Sequence, residues 1–347
     1  MTDRLKVVAL GGGTGLATLL RALKHHPINL AAVVTMTDNG ASSGRLSREL
    51  GTLPPGDVRK CLAALANDET LLTQLFDYRF NRGRGINGHS LGNLLLLALA
   101  DITGSFDNAV EACSKILSIK GQVIPSTLDH VSIVAELANG QRALGEVDIP
   151  VMGHRFGIDH LELLPEEAKA NPNAVRFIDS ADLIIVGPGS LLTSVIPNFL
   201  IKEIGQAYSR SKAFKLFICN VSTERGETEN FSVDDHIRTI QQHVHKLTFD
   251  AVLVNDNIVS LSDQEGKLGS IRNITTDQEM IRGIPVIRAD VIDEQRPLYH
   301  DPKKLAEVVW RIIAQSLTES NAEEKLSHFK RKPRRPTNHV EPLVGES

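Results

Sequence analysis

Leu5–Leu10 is a short apolar run of strand length, cut off at once by Gly11-Gly12-Gly13-Thr14-Gly15. Apolar residues then recur at helical spacing through Leu16–Leu23, and Leu30–Thr35 is a second apolar, β-branched run. Strand, glycine turn, helix and strand in that order open a βαβ unit and imply a parallel sheet. Residues 37–60 are polar and rich in glycine and proline, ending in Pro54-Pro55-Gly56-Asp57; they read as a long loop entering a helix whose first turn carries Asp57. From Val58 to Leu117 the spacing is mostly helical. Val131–Leu137 and Ala143–Val147, joined by Asn139-Gly140, read as a β-hairpin. The parallel-sheet pattern then returns. Ala181–Val186 ends in Gly187-Pro188-Gly189-Ser190, and Phe214–Asn220, Ala251–Asn255 and Val286–Asp290 read as further strands. Val233–Val244 and Pro302–Leu317 have helical spacing. The pattern predicts one α/β domain over residues 1–320, Rossmann-like and doubly wound, with a mostly parallel sheet and a helical and hairpin insertion at roughly 54–150. Residues 321–347 turn polar and basic and are expected to form a disordered tail.

Composition narrows the classes. The 347 residues are 41% hydrophobic but only 4% aromatic, so the core must be built from Leu, Ile, Val and Ala, and global disorder is excluded. The net charge of −4 argues against a dedicated nucleic-acid binder. Residues 321–347 hold six basic and four acidic residues, which leaves 32 basic against 38 acidic in the body, a charge of −6. Cys61, Cys113 and Cys219 are too few and too widely spaced for a disulfide framework or a zinc site, and point to a reducing compartment. The apolar runs are too short to span a bilayer. Strand-like sequence begins within five residues of the start, so no signal peptide is expected and a cytoplasmic protein is.

The candidate chemistry gathers at strand ends. Gly12, Gly13, Thr14 and Gly15 follow a strand and open a helix, where free N–H groups and a partial positive charge suit a phosphate. This turn does not meet G-x-G-x-x-G, because Leu16 sits where the last glycine belongs, and it lacks a Walker A lysine, so it is either a phosphate cradle or a tight connection. Asp38 and Asn39 end the second strand, where this fold class places a ribose-reading or metal-reading carboxylate, with Ser43 and Arg45 just beyond. Gly187, Gly189 and Ser190 form a second glycine turn able to face the first across a crevice, and Asn220, ending the next strand, would point into it. His89 and Asn93 lie at i and i+4 of a helix start and are either ligand contacts or structural residues. Asp57 would cap a helix, and Arg59 would pair a phosphate. H-E-x-x-H and clustered Cys/His motifs are absent.

Taken in order, Gly11–Leu16, Thr37–Arg45, Pro54–Leu65, Arg79–Gly83 with Gly88–Leu96, Gln122–Thr127, Gly187–Leu200 and Asn220–Thr228 resemble successive signatures of the YvcK/CofD-like family. Seven blocks in one order are specific where any one is weak. One branch of that family is the 2-phospho-L-lactate transferase, which joins a phospholactyl group from a guanylyl-activated donor to a deazaflavin with Mg²⁺. The other, the gluconeogenesis factors, bind UDP-sugars, notably UDP-N-acetylglucosamine, and are linked to cell-wall synthesis and cell shape. Asn81-Arg82-Gly83, Gly88–Asn93 and His300-Asp301-Pro302 look more like the second branch. The resemblance implies that Gly12, Gly13, Thr14, Gly189 and Ser190 hold phosphates, that Asp38 and Asn39 hold substrate or Mg²⁺, and that Asn93 and Asn220 line the crevice. It also implies a homodimer. Ala41, Lys60 and Leu192 depart from the family pattern at positions where glycine, asparagine and an aromatic are usual.

Three functions follow from this reading: a UDP-sugar-binding regulator with a protein partner in cell-wall precursor synthesis, a Mg²⁺-dependent phosphotransferase, or a scaffold that docks through its basic tail. Nucleic acid is not an expected partner.

Overall fold

The computed structural model describes residues 4–67, 71–244, 247–259 and 271–314. The expected tail at 321–347 lies outside them. The strands are β1 (Lys6–Gly11), β2 (Asn29–Val34), β3 (Gln122–Pro125), β4 (Ser132–Leu137), β5 (Arg142–Leu144), β6 (Ile158–Leu164), β7 (Leu183–Val186), β8 (Phe214–Ile218), β9 (Ala251–Asn255), β10 (Met280–Ile281) and β11 (Ile284–Ala289). Eight of them form one sheet in the order β10-β11-β9-β8-β7-β1-β2-β3. Its pairings are parallel except at the β10 edge. The fold is thus the doubly wound α/β type that the strand pattern predicts.

Alternation along the strands explains the layers. Val7 and Ala9 of β1 face one core, while Val8 and Leu10 face the other. The first core is closed by α1 (Gly13–Leu23), α3 (Gly56–Leu65), α5 (Leu91–Thr103), α6 (Phe106–Ile116) and the helical residues 302–314. The second is closed by α8 (Pro172–Asp179), α9 (Ile196–Leu200), α10 (Lys202–Arg210) and α11 (Val233–His243).

The stretch 37–60 is not one loop, because α2 (Ala41–Leu50) lies within it. This helix buries Ser42, Ser43 and Gly44 beside Leu46, so its inward face is written mostly in small polar residues and gives no apolar stripe to read. The stretch 54–150 contains β3, a strand of the main sheet. The hairpin β4–β5 stands where expected, but its second strand stops at Leu144 because Gly145, at φ 80°, starts α7 (Gly145–Phe156). With β6 it forms a separate three-stranded antiparallel sheet that packs on the second core.

The strand order reverses at β1, which pairs with β2 on one side and β7 on the other. Both glycine turns leave the sheet there. They abut so closely that a Cβ on Gly15 would lie 2.5 Å from the Pro188 carbonyl oxygen. That atom is backbone and has no easy way to move. Asn198 adds a tie, donating from Nδ2 to the Gly11 carbonyl at 3.2 Å.

Two substitutions test this architecture by denaturant unfolding. Gly15→Ala should destabilise the fold by about 1–3 kcal/mol through overpacking of the two turns. Ala41 holds a φ of 34° at the start of α2, a region that favours glycine. Ala41→Gly should therefore gain about 0.5–1 kcal/mol, the relief of roughly 1–2 kcal/mol of strain less about 0.5–1 kcal/mol of backbone entropy.

Candidate functional site

A cavity of about 360 Å³ opens at the carboxyl ends of β1, β7 and β8. Gly12, Gly13, Thr14 and Gly15 line one wall, and Gly189, Ser190 and Asn220 line another. The two glycine turns therefore do face each other across one crevice, at the point where the strand order reverses. A wider recess at the opposite strand ends, lined by Arg4, Lys6 and Lys120 among others, carries no such turn.

Gly12 is extended and caps α1 without a side chain. A Cβ there would press on Thr35 and on the Asp57 carboxylate, at 2.6 and 2.7 Å. The Gly13 N–H donates to Asp57 Oδ2 at 2.7 Å. Asp57 thus sits in the first turn of its own helix yet caps a different one, α1. The other first-turn N–H groups of α1, on Thr14 and Gly15, have no acceptor within the helix and line the cavity.

The second turn is held differently. The Gly189 N–H donates to Asn220 Oδ1 at 3.1 Å, and Asn220 Nδ2 returns a bond to the Gly189 carbonyl at 3.0 Å. Asn220 lines the crevice, but its amide fixes the loop. Gly187, at φ 76°, packs against the Ile218 carbonyl and shapes the turn from below. Ser190 precedes a π-helical turn, Leu191–Val195, but its hydroxyl does not cap it. It donates instead to Glu224 at 3.0 Å.

Asp38 and Ser43 lie behind Asp57, packed under Gly56, where a Cβ would strike both side chains. Asp38 is half-buried, and desolvation followed by the charge of Asp57 holds its carboxyl above the usual range. Asn39 packs against Gly145 at the start of α7, with Oδ1 buried and unpartnered. Arg59 turns away to pair with Asp77 in α4 (Leu71–Asp77). His89, Asn93 and Arg45 also lie outside the crevice lining. The Ser42 hydroxyl bonds to His89 Nδ1 at 2.8 Å and accepts from Asn93 Nδ2 at 3.0 Å. Arg45 donates to the Asn87 carbonyl at 2.6 Å. These residues join α2 to α5 rather than facing the cavity.

Sequence reasoning missed Lys60 as a site residue, along with Glu146, Thr193, Glu224, Glu227 and His300, all of which line the cavity. Glu146 is carried in by α7, next to a hairpin that reads as purely structural. Glu224 and Glu227 sit on a loop with no glycine-turn signature.

Residues 7–292 match the family described as 2-phospho-L-lactate transferase CofD. The chain belongs to the CofD family. A Nostoc relative is 45% identical over 315 residues, covering 88% of this chain and 68% of its own length. A Bacillus subtilis protein named gluconeogenesis factor is 41% identical over 313 residues, covering 89% of this chain and 98% of the relative. The crystal structure of a Bacillus halodurans protein superposes with a TM-score of 0.84 at 39% identity, covering 89% of this chain and all of that one.

The crevice of this CofD-family protein is acidic. Lys60 Nζ reaches Asp57 Oδ1 at 2.9 Å. Burial alone would lower the Lys60 pKa, but Asp57, then Asp38 and Glu146, hold it above its ordinary value. Glu146 accepts from the Thr37 hydroxyl at 3.0 Å. Burial, then Asp57 and Asp38, push its carboxyl well above the usual range. Among the described residues no three His, Cys, Asp or Glu side chains form a ready-made metal cage. Mg²⁺ needs less, since one or two carboxylates with phosphate oxygens and waters suffice. Asp57 lines the cavity and would supply one such carboxylate, with Asp38 behind it. No helix among the described residues is long and apolar enough to cross a membrane.

His300 gives the site a pH signature. It is buried in the crevice wall, its Nε2 has no partner, and burial pushes its pKa down to about 4. Below about pH 6.5 the unfolded chain takes up a proton that the folded site refuses until about pH 4. Stability from neutral His300 is therefore full above about 6.5 and falls as pH drops toward 4, by up to about 3 kcal/mol. His300→Gln should flatten this acid limb, read as the difference from wild type in urea unfolding at neutral pH and near pH 4.5.

Proposed function

We propose that this CofD-family protein is a gluconeogenesis factor that binds a nucleotide sugar of the UDP-N-acetylglucosamine type. It acts as a regulator of cell-wall synthesis and cell shape, through a protein partner in cell-wall precursor synthesis. The observation that carries this reading is the convergence of two glycine turns on one crevice. The Thr14 and Gly15 N–H groups of α1 and the Ser190 N–H of the second turn offer a diphosphate two walls of backbone at once. The name of the Bacillus subtilis relative supports the assignment to the gluconeogenesis-factor branch.

The acid lining sets a condition on this ligand. A diphosphate brings negative charge to a cavity that already holds Asp57, Glu146, Glu224 and Glu227 against Lys60. Mg²⁺ bound by Asp57, with Asp38 behind it, would supply the compensating charge. The chain's own residues do the rest. Backbone N–H groups position the phosphates, and Lys60 holds Asp57 in place on Gly13.

The family description favours a second reading, phosphotransfer of the 2-phospho-L-lactate transferase type, for which the resemblance implies a guanylyl-activated donor and a deazaflavin acceptor. Calorimetric titration separates the two. The regulator reading expects saturable binding of UDP-N-acetylglucosamine, recovered unchanged, with GDP silent. At a hundredfold excess over Kd the ligand should stabilise the fold by about 2.7 kcal/mol. Asp38→Ala should lose binding yet stay folded, because it removes a carboxyl held against Asp57. A Mg²⁺-dependent response to GDP with the UDP-sugar silent would reverse the assignment in favour of transfer.

A further inference from the structure

Glu224 and Glu227 lie on the loop after β8, and both turn onto the helix start that follows the second glycine turn. Glu224 accepts the Ser190 hydroxyl at 3.0 Å. Glu227 accepts the Thr193 hydroxyl at 3.3 Å. Two carboxyls thus crowd one helix start, whose partial positive charge is about half an elementary unit.

Among the described residues no cation answers them. Arg225, between the two, turns outward to His154 at 3.1 Å. Lys60, from α3, is held by Asp57. His300, before the last helix, is kept neutral by burial. Asp57 from α3 and Glu146 from α7 face the same cavity and add negative charge, and Tyr299 adds none. Glu224 Oε2 is buried and has no hydrogen-bond partner. A buried carboxylate oxygen without a donor is costly, whereas a proton placed there removes the cost. Burial pushes Glu224 up to about 7, and burial with the charge of Glu224 pushes Glu227 up to about 8.

We propose that Glu224 and Glu227 share one proton near neutral pH and act as a charge gate for a diphosphate in the crevice. With the proton in place, the pair tolerates phosphate oxygens on the facing N–H groups. When the pair is fully ionised, it repels them. Binding therefore draws a proton from solvent onto the pair, and no covalent bond in the ligand forms or breaks. The ligand-linked half of this inference rests on the nucleotide-sugar reading. The shared proton does not.

The test has a ligand-free part and a ligand part. Infrared difference titration of the full chain, from about pH 5 to about pH 9, should show a protonated carboxyl lost near pH 7–8. Glu227→Gln should leave only one carboxyl titrating near pH 7, and the Glu224→Gln/Glu227→Gln double variant should lose the signal. Calorimetry with UDP-N-acetylglucosamine and Mg²⁺, in two buffers of different ionisation heat, should show proton uptake on binding. Affinity should fall up to about tenfold per pH unit above neutrality, and in the Glu224→Gln/Glu227→Gln double variant this dependence should flatten while binding persists at low pH. Absence of the titrating carboxyl from the ligand-free protein would overturn the shared proton. Equal heats in both buffers with a pH-independent affinity would overturn the gate. A titrating carboxyl together with a UDP-sugar silent at every pH would confirm the pair and overturn the nucleotide-sugar reading instead.

Discussion

The two glycine turns touch backbone to backbone, and the site exists because they do. Gly15 meets the Pro188 carbonyl with no room for a methyl group, and Gly12 leaves space for Thr35 and Asp57. A side chain at either place would wedge the turns apart. Their contact sets the relative position of two helix starts, α1 and the Leu191–Val195 turn, at the centre of the sheet. Asn198 holds the second helix to the end of β1. Everything that faces the cavity is placed by that junction.

The sheet and the stretch between β2 and β7 contribute different chemistry. The strand ends supply neutral donors, the N–H groups of the turns. The intervening stretch supplies charge: Asp57 and Lys60 arrive on α3, and Glu146 arrives on α7. The bond from Gly13 to Asp57 joins the two contributions. A backbone donor is thereby engaged by a protein carboxylate, and the Asp57–Lys60 pair leaves Glu146, Glu224 and Glu227 to set the acidic character of the crevice. The departure at Lys60 belongs to this balance, since its ammonium neutralises Asp57.

The strands and both glycine turns were legible because each is written locally. A buried parallel strand reads as a β-branched run, and a strand-to-helix turn reads as glycines. The helix α2 was not legible, because Ser42, Ser43 and Gly44 fill its inward face. Its Ala41 takes a positive φ that no composition or periodicity reveals. Gly12–Gly15, Gly189, Ser190 and Asn220 line the crevice as the sequence suggested. His89, Asn93, Arg45 and Arg59 do not, because hydrogen bonds and ion pairs within the helical layer claim them. Glu224 and Glu227 escaped notice for a related reason. A carboxylate in a polar loop looks solvated until the fold shows which helix start it caps.

The paired bonds between Asn220 and Gly189 carry one more consequence. A loop gripped at both its N–H and its carbonyl loses little conformational freedom when something docks on it. The ordering entropy that a mobile glycine loop would surrender on association has already been lost during folding. A ligand docking there would meet a preorganised crevice, and more of each contact's free energy would appear as affinity.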